Sequence, residues 1–207
     1  MPRGGAEHTL ARREEIITAC EQLYLERDFH DVTIKDIGTR TTFTRTSIYN
    51  YFETKEEIVL ALLHREYLVW AADLDSLAAT ASGGAAALAD GLADTLDRRE
   101  TMLRLMSTSL FEMEAHSRVT ALADFKRGCK LLMAALDGCV AAFCPELDAD
   151  ARERFAFAFL PFVYGVYPYS TVTEKQRMAM DQADMRYAPP AQHEMVRQGA
   201  AMLLGGK

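Results

Sequence analysis

The run Thr44-Arg45-Thr46-Ser47-Ile48-Tyr49-Asn50-Tyr51-Phe52 sets two apolar anchors among side chains that suit a nucleic acid. Ile48 and Phe52 stand four apart, on one face of a helix. That leaves Arg45, Thr46, Ser47, Tyr49, Asn50 and Tyr51 to face outward. Arginine can chelate guanine O6 and N7, a threonine methyl can touch a thymine methyl, asparagine can bond adenine, and hydroxyls hold phosphates. A Tyr-x-Tyr-Phe stripe taken alone reads as core packing, so the surrounding elements must decide its meaning.

Those elements are helical nearly throughout. Ile16, Ile17, Cys20, Leu23 and Tyr24 fall on one face of a helix predicted over Leu10–Glu26. Thr33 caps a short helix to Thr41 with Ile34 and Ile37 inward, and Thr44 starts the next. Two short helices across a tight turn have the spacing of a helix-turn-helix, whose second helix enters the major groove. Thr54-Lys55-Glu56-Glu57 forms a capping box, and Val59, Leu63, Tyr67, Trp70, Leu74 and Leu77 then stripe a helix of over twenty residues. Ala81-Ser82-Gly83-Gly84 ends it. Further helices are predicted at Ala85–Arg98, Glu100–Ala115, Thr120–Phe143 and Ala149–Tyr167, with Pro161 expected to kink the last. A short helix opened by Thr173-Glu174-Lys175-Gln176 and a final one over Ala191–Leu204, stopped by Gly205-Gly206, bring the count to about nine. The expected fold class is all-α: a three-helix head over residues 1–54 and a larger helical body over 55–207.

Thr33-Ile-Lys-Asp-Ile-Gly followed by Thr44-Arg-Thr-Ser-Ile-Tyr-Asn-Tyr-Phe-Glu-Thr-Lys-Glu-Glu-Ile58 resembles the DNA-binding head of TetR-family regulators. The resemblance covers about Arg12–Leu63. It implies that Lys35, Arg45 and Thr46 meet base edges and nearby phosphates, while Thr44, Ser47, Tyr49, Tyr51 and Lys55 hold the backbone. Asn50 is placed with them for its reach to adenine. Two positions depart from the pattern. The turn reads Thr41-Thr42 where the family has Ala-Gly, so either it takes another conformation or it carries strain at positive φ. Gly38 replaces a usual Ala, at about 1 kcal/mol of helix propensity.

Between Thr33 and Lys55 the cations Lys35, Arg40, Arg45 and Lys55 outnumber Asp36 and Glu53, a balance of +2, while the whole chain carries −7 and the remainder therefore −9. A mildly basic window on an acidic body suits a protein that touches DNA with one short element. The resemblance implies a homodimer paired through the last two long helices, reading a palindromic operator as a repressor. In the final helix Met195, Gly199, Met202 and Leu203 share a face, and Gly199-Ala200-Ala201 would let helices approach closely. The resemblance also implies a small apolar effector in the body, for which Trp70, Met102, Met106, Phe111, Phe125, Phe159, Phe162 and Tyr164 are the candidate walls.

No cofactor or metal is expected. The four cysteines, Cys20, Cys129, Cys139 and Cys144, lack CxxC pairing, and the five histidines are scattered. No stretch reads as a signal peptide or a membrane span, so the expected place is the cytoplasm without membrane contact. No GxSxG, HExxH, GxGxxG or Walker-type loop is present, so no enzyme activity is expected. The alternatives are a helical interaction module that does not bind DNA, or an enzyme whose site assembles only in three dimensions.

Overall fold

The computed structural model describes residues 3–27, 29–108 and 110–205; the side chains of residues 3–6 and of Arg45 lie outside the described set. The described residues form helices joined by turns and loops with no strand, eleven α-helices and one 3-10 turn where about nine helices were expected. Two compact units divide it: Met1–Tyr67 with Thr108–Cys129, and Leu68–Ser107 with Lys130–Lys207.

The first unit holds α1 (Arg3–Glu26), a 3-10 turn (Phe29–Asp31), α2 (Ile34–Thr39), α3 (Arg45–Ile48), the first half of α4 (Lys55–Ala78), α7 (Leu110–Ala115) and the start of α8 (Val119–Phe143). Its core is the apolar stripe of α1 (Ile16, Ile17, Cys20, Leu23, Tyr24) with Ile37, Ile48, Phe52 and the buried face of α4 (Ile58, Val59, Leu62, Leu63). Thr33 caps α2 through a complete box, its hydroxyl accepting from Asp36 N while Asp36 accepts from Thr33 N at 3.0 Å. The box expected at Thr54 is only half formed. Thr54 Oγ1 accepts from Glu57 N at 3.2 Å, but the Glu57 carboxylate turns elsewhere.

The second unit holds the rest of α4 and α8 with α5 (Gly84–Asp97), α6 (Glu100–Met106), α9 (Ala149–Ser170), α10 (Glu174–Gln182) and α11 (Gln192–Gly205). Gly83 and Gly84 stand at φ 84° and 69°, a left-handed corner open to glycine, and they turn the chain into α5. Trp70 is fully buried and donates to Thr95 Oγ1 at 3.1 Å, and Thr95 in turn donates to Leu92 O at 2.9 Å. That chain satisfies the polar atoms of an otherwise apolar core.

Three expectations change. The single helix expected over Glu100–Ala115 is two, α6 and α7. The hydroxyl-rich 107–109 stretch offers side-chain competition for the backbone, and Ser107 Oγ indeed donates to Arg104 O at 2.7 Å. Secondly, the helix expected to end at Tyr167 runs on to Ser170, with Pro161 and Pro168 both inside it. Thirdly, Gly199 and Ala200 are not a face held open for a second copy. Both are buried, and a Cβ on Gly199 would lie 2.7 Å from Cε1 of Phe162, so the glycine lets α11 approach α9 of its own chain. Gly206, expected in the terminal stop, lies outside the described residues. No single helix is long and apolar enough to cross a membrane among the described residues.

Candidate nucleic-acid interface

The interface is built on α2, the turn after it, and α3. Ile37 and Ile48 are both wholly buried, so each short helix is pinned by one apolar side chain and presents its other faces to solvent. Formally α3 is one turn, shorter than the helix expected from Thr44 to Phe52. The helical path still continues: Tyr51 N donates to Ile48 O at 2.9 Å and Phe52 N to the same oxygen at 3.0 Å, a tightened last turn that seats Phe52 in the core.

The turn resolves the question posed by Thr41-Thr42. Asp184 is the only non-glycine residue with positive φ among the described residues, so both threonines keep ordinary backbone angles. Side chains replace what a glycine would have supplied. The Thr41 hydroxyl lies in donating reach of Gly38 O (3.1 Å) and Phe43 O (3.0 Å), and Thr42 N donates to Glu15 Oε1 at 2.5 Å. The bonds from Thr42 hold the Glu15 carboxyl below its usual range. On the exit side the Arg13 guanidinium donates to Tyr51 O at 3.0 Å and lies 4.3 Å from the Phe52 ring, and Arg12 lies 4.7 Å from Phe43. Neither arginine was singled out in the sequence; their only signal is cations on a helix facing an aromatic pair.

Thr44, Thr46, Tyr49 and Asn50 are exposed on and beside α3, and Lys35 is exposed on α2. Ser47 is half-buried, with its hydroxyl 3.2 Å from that of Thr44. Tyr51 is half-buried with its ring 6.3 Å from Phe43. The Arg45 side chain lies outside the described residues. Lys55 turns away from α3: its ammonium donates to Phe29 O at 2.8 Å and sits 4.1 Å from the Phe29 ring.

Several neighbouring anions are engaged by other groups. Asp36 is used by the α2 cap and lies 3.8 Å from Arg27; the bonds from Thr33 hold its carboxyl below the ordinary range. Glu26 is paired with Arg40 at 2.8 Å, so that arginine is a strut. Glu57 is the acid with most structural consequence. Its buried carboxylate takes Arg118 N at 2.9 Å, Arg118 Nε and Nη2 at 2.7 Å each, and Glu53 N at 2.9 Å. Burial pushes its pKa up, but the bonds from Arg118 and Glu53 outweigh that and hold it below the usual carboxylate value. Arg118 also reaches Glu53 at 3.2 Å, and Thr54 Oγ1 donates to His116 O at 3.1 Å. The segment leaving α3 is thus clasped to the α7–α8 corner. In the sequence Arg118 had no visible partner, because sixty-one positions separate it from Glu57.

The candidate effector walls divide between the units. Trp70, Met102, Met106 and Phe159 are buried in the second, with Phe162 and Tyr164 half-buried there. Phe125 is buried in the first, its ring 5.6 Å from Tyr67. Phe111 stands 84% exposed on α7, where it has nothing to enclose. A groove of about 400 Å³ runs in the second unit between α4 and α8, walled by Leu68, Ala71, Ala72, Asp75, Leu131, Ala134 and Ala135. Its size falls in the range of small-molecule sites. Sequence reasoning missed it because alanines, which make the space, give no chemical signal.

Residues 16–62 match the family described as "Bacterial regulatory proteins, tetR family", and residues 64–207 match "Tetracyclin repressor-like, C-terminal domain". An uncharacterized HTH-type transcriptional regulator in the lacX 3' region of Lactococcus lactis subsp. lactis is 33% identical over 58 residues, which is 28% of this chain and 30% of that protein's length. The fold is similar to that of the fatty acid degradation regulator FadR from Bacillus halodurans, with a TM-score of 0.59 at 17% identity over 94% of this chain and 95% of the other. It is likewise similar to a putative TetR-family transcriptional regulator from Mesorhizobium loti, with a TM-score of 0.60 at 12% identity over 99% and 96%.

Proposed function

Because this chain belongs to the tetR family of bacterial regulatory proteins, we propose that it acts as a homodimeric repressor of a palindromic operator, released by a small apolar effector. DNA binding and transcription regulation are the family's work. Dimer, operator symmetry, effector and cytoplasmic location are the finer reading. One observation carries the DNA contact: Ile48 and Phe52 are buried while Thr46, Tyr49 and Asn50 on the same turn are exposed.

In this reading Lys35, Arg45 and Thr46 meet base edges and adjacent phosphates, Asn50 bonds a base, and Thr44, Ser47, Tyr49 and Tyr51 hold the backbone. Lys55 would serve a phosphate only after leaving the Phe29 carbonyl, so its contribution is the smallest. Two symmetry-related heads about one DNA turn apart read a palindrome. The α4–α8 groove, lined mostly by apolar side chains, is the best-supported effector site. An effector that binds it better in one arrangement of the heads lowers operator affinity by that difference in free energy.

The test is selection of DNA from a random double-stranded library, repeated with Lys35→Ala, Arg45→Ala and Tyr49→Ala. A palindromic site is expected, with about a tenfold or greater loss in Arg45→Ala and a salt slope about one unit shallower in Lys35→Ala. No enrichment by a folded wild type refutes the reading and favours a helical interaction module.

A further inference from the structure

The recognition turn is too short to hold its own pose. It is a single helical turn, and the side chain of Thr44 at its start caps no backbone N–H. Helices shorter than about 12–15 residues are marginal in water unless something outside them holds them. Burial of Ile48 and Phe52 seats α3 in the core, but apolar contacts are non-directional and leave its pitch open. Direction has to come from polar contacts, and α1 supplies them at both ends. Before α3, Glu15 Oε1 accepts from Thr42 N at 2.5 Å. After it, Arg13 Nη1 donates to Tyr51 O at 3.0 Å, and the same guanidinium lies 4.3 Å from the Phe52 ring. Both groups held are backbone atoms outside α3 itself, so the grip is indifferent to which side chains α3 presents to DNA.

Helical spacing puts Arg13 and Glu15 on either side of Ile16, which is wholly buried, so the two grips straddle the face by which α1 packs. That helix is 24 residues long and is itself fixed by its buried stripe, which makes it a stiff reference for a one-turn neighbour. An arginine suits the exit side, because a planar guanidinium can lie over a ring and donate from its edge. We propose that Arg13 and Glu15 are positioning residues for operator recognition, holding the two ends of α3 at the pitch at which its side chains meet base edges. This rests on the reading of α3 as the element that enters the groove. Arg13 then acts on sequence discrimination and not on the phosphate attraction. A tilted α3 still lies among phosphates, whose pull is long-ranged, but it loses base contacts that fail on a small displacement.

The probes are the duplex that the wild type enriches from a random library and a random-sequence duplex of equal length. Binding to both is titrated across salt for the wild type, Arg13→Ala, Glu15→Ala and Glu15→Gln, well below each melting temperature and scaled to the active fraction. In both alanine variants the ratio of enriched-duplex to random-duplex affinity should fall about tenfold or more, the scale of one lost base contact. In Arg13→Ala the random-duplex affinity should stay within about threefold at an unchanged salt slope. Glu15→Gln should recover most of the ratio, because its amide oxygen can still accept from Thr42 N. The two Glu15 variants lose the same charge, so only geometry separates them, and a Glu15→Gln as impaired as Glu15→Ala overturns that grip. Equal losses on both duplexes in Arg13→Ala, with a slope about one unit shallower, make the arginine a phosphate contact and overturn the proposal. A lower Tm with an unchanged ratio makes the grips structural only and overturns it equally. A folded wild type that enriches no duplex sinks the reading of α3 on which the proposal rests.

Discussion

Replacing Arg118 by alanine removes the cation that bonds a buried carboxylate, that of Glu57. Glu57 has a side chain with no exposed surface, whereas the Arg118 side chain is 43% exposed, so the two ends of the pair are unequal. Removing one partner of a buried ion pair costs about 3–5 kcal/mol because the other charge is stranded. Two donors to Glu57 survive in Arg118→Ala, the backbone N–H groups of residues 53 and 118, and water enters where the guanidinium stood. The lower end therefore applies, about 3 kcal/mol. In Glu57→Gln the amide oxygen keeps one pair of donors, but whichever way the amide turns its NH2 faces the other pair, either Glu53 N and Arg118 Nη2 or Arg118 N and Nε. Lost charge-assisted bonds and unpaired buried donors together cost about 3 kcal/mol, similar to Arg118→Ala. In a chain of this size 1 kcal/mol shifts Tm by about 2–4 °C, so Arg118→Ala should melt about 6–12 °C lower.

The pH dependence carries a second signature. In the wild type the Glu57 pKa is lowered, so its contribution is present above the unfolded carboxyl value of about 4.3 and is lost as pH falls through the folded value. In Arg118→Ala burial faces less opposition and raises that pKa, so the deficit is largest at neutral pH and narrows as the carboxyl protonates. The assay is thermal denaturation at fixed protein concentration at neutral and acidic pH, since assembly makes Tm concentration-dependent. A deficit in Arg118→Ala below about 1 kcal/mol, or one that grows as pH falls, would refute the reasoning.

Two further substitutions test the fold around the site. Thr41→Val removes the hydroxyl shared by Gly38 O and Phe43 O and should cost about 1 kcal/mol, whereas Thr42→Gly relieves no strain and should destabilise by about 0.5–1 kcal/mol through the unfolded chain; urea midpoints decide, and a stabilising Thr42→Gly would contradict the turn. Gly199→Ala drives a methyl into the Phe162 ring and should cost about 1–3 kcal/mol, read as a lower Tm, while Gly138→Ala, with no atom near its Cβ position, should be neutral or slightly stabilising.

Local signals carried most of the helix pattern. The Thr33 and Thr173 boxes start helices where the capping rule placed them, because a cap is a contract among four consecutive residues. The stripe from Val59 to Leu77 became α4 because a 3.6-residue period survives whatever packs against it. The failures share a different cause. Glu100–Ala115 kept its apolar period across the break between α6 and α7, which periodicity does not register. The half-formed box at Thr54 failed because a distant arginine offered Glu57 better donors than the backbone beside it.

By itself the sequence determined the helical class, the placement of α2 and α3, the burial of Ile48 and Phe52, and the family that this pattern marks. These follow from spacing and from residue chemistry within about a helical turn. Tertiary structure alone decided which cations stay exposed and which are struts: Lys35 stays exposed, while Arg40 is held by Glu26, Lys55 by Phe29 and Arg118 by Glu57. It alone turned Gly199 inward to Phe162 and left α10 without a core. Each depends on a partner that folding brings near from another part of the chain, and the energy of such a pair belongs to the distance between its atoms, which no order of residues encodes directly.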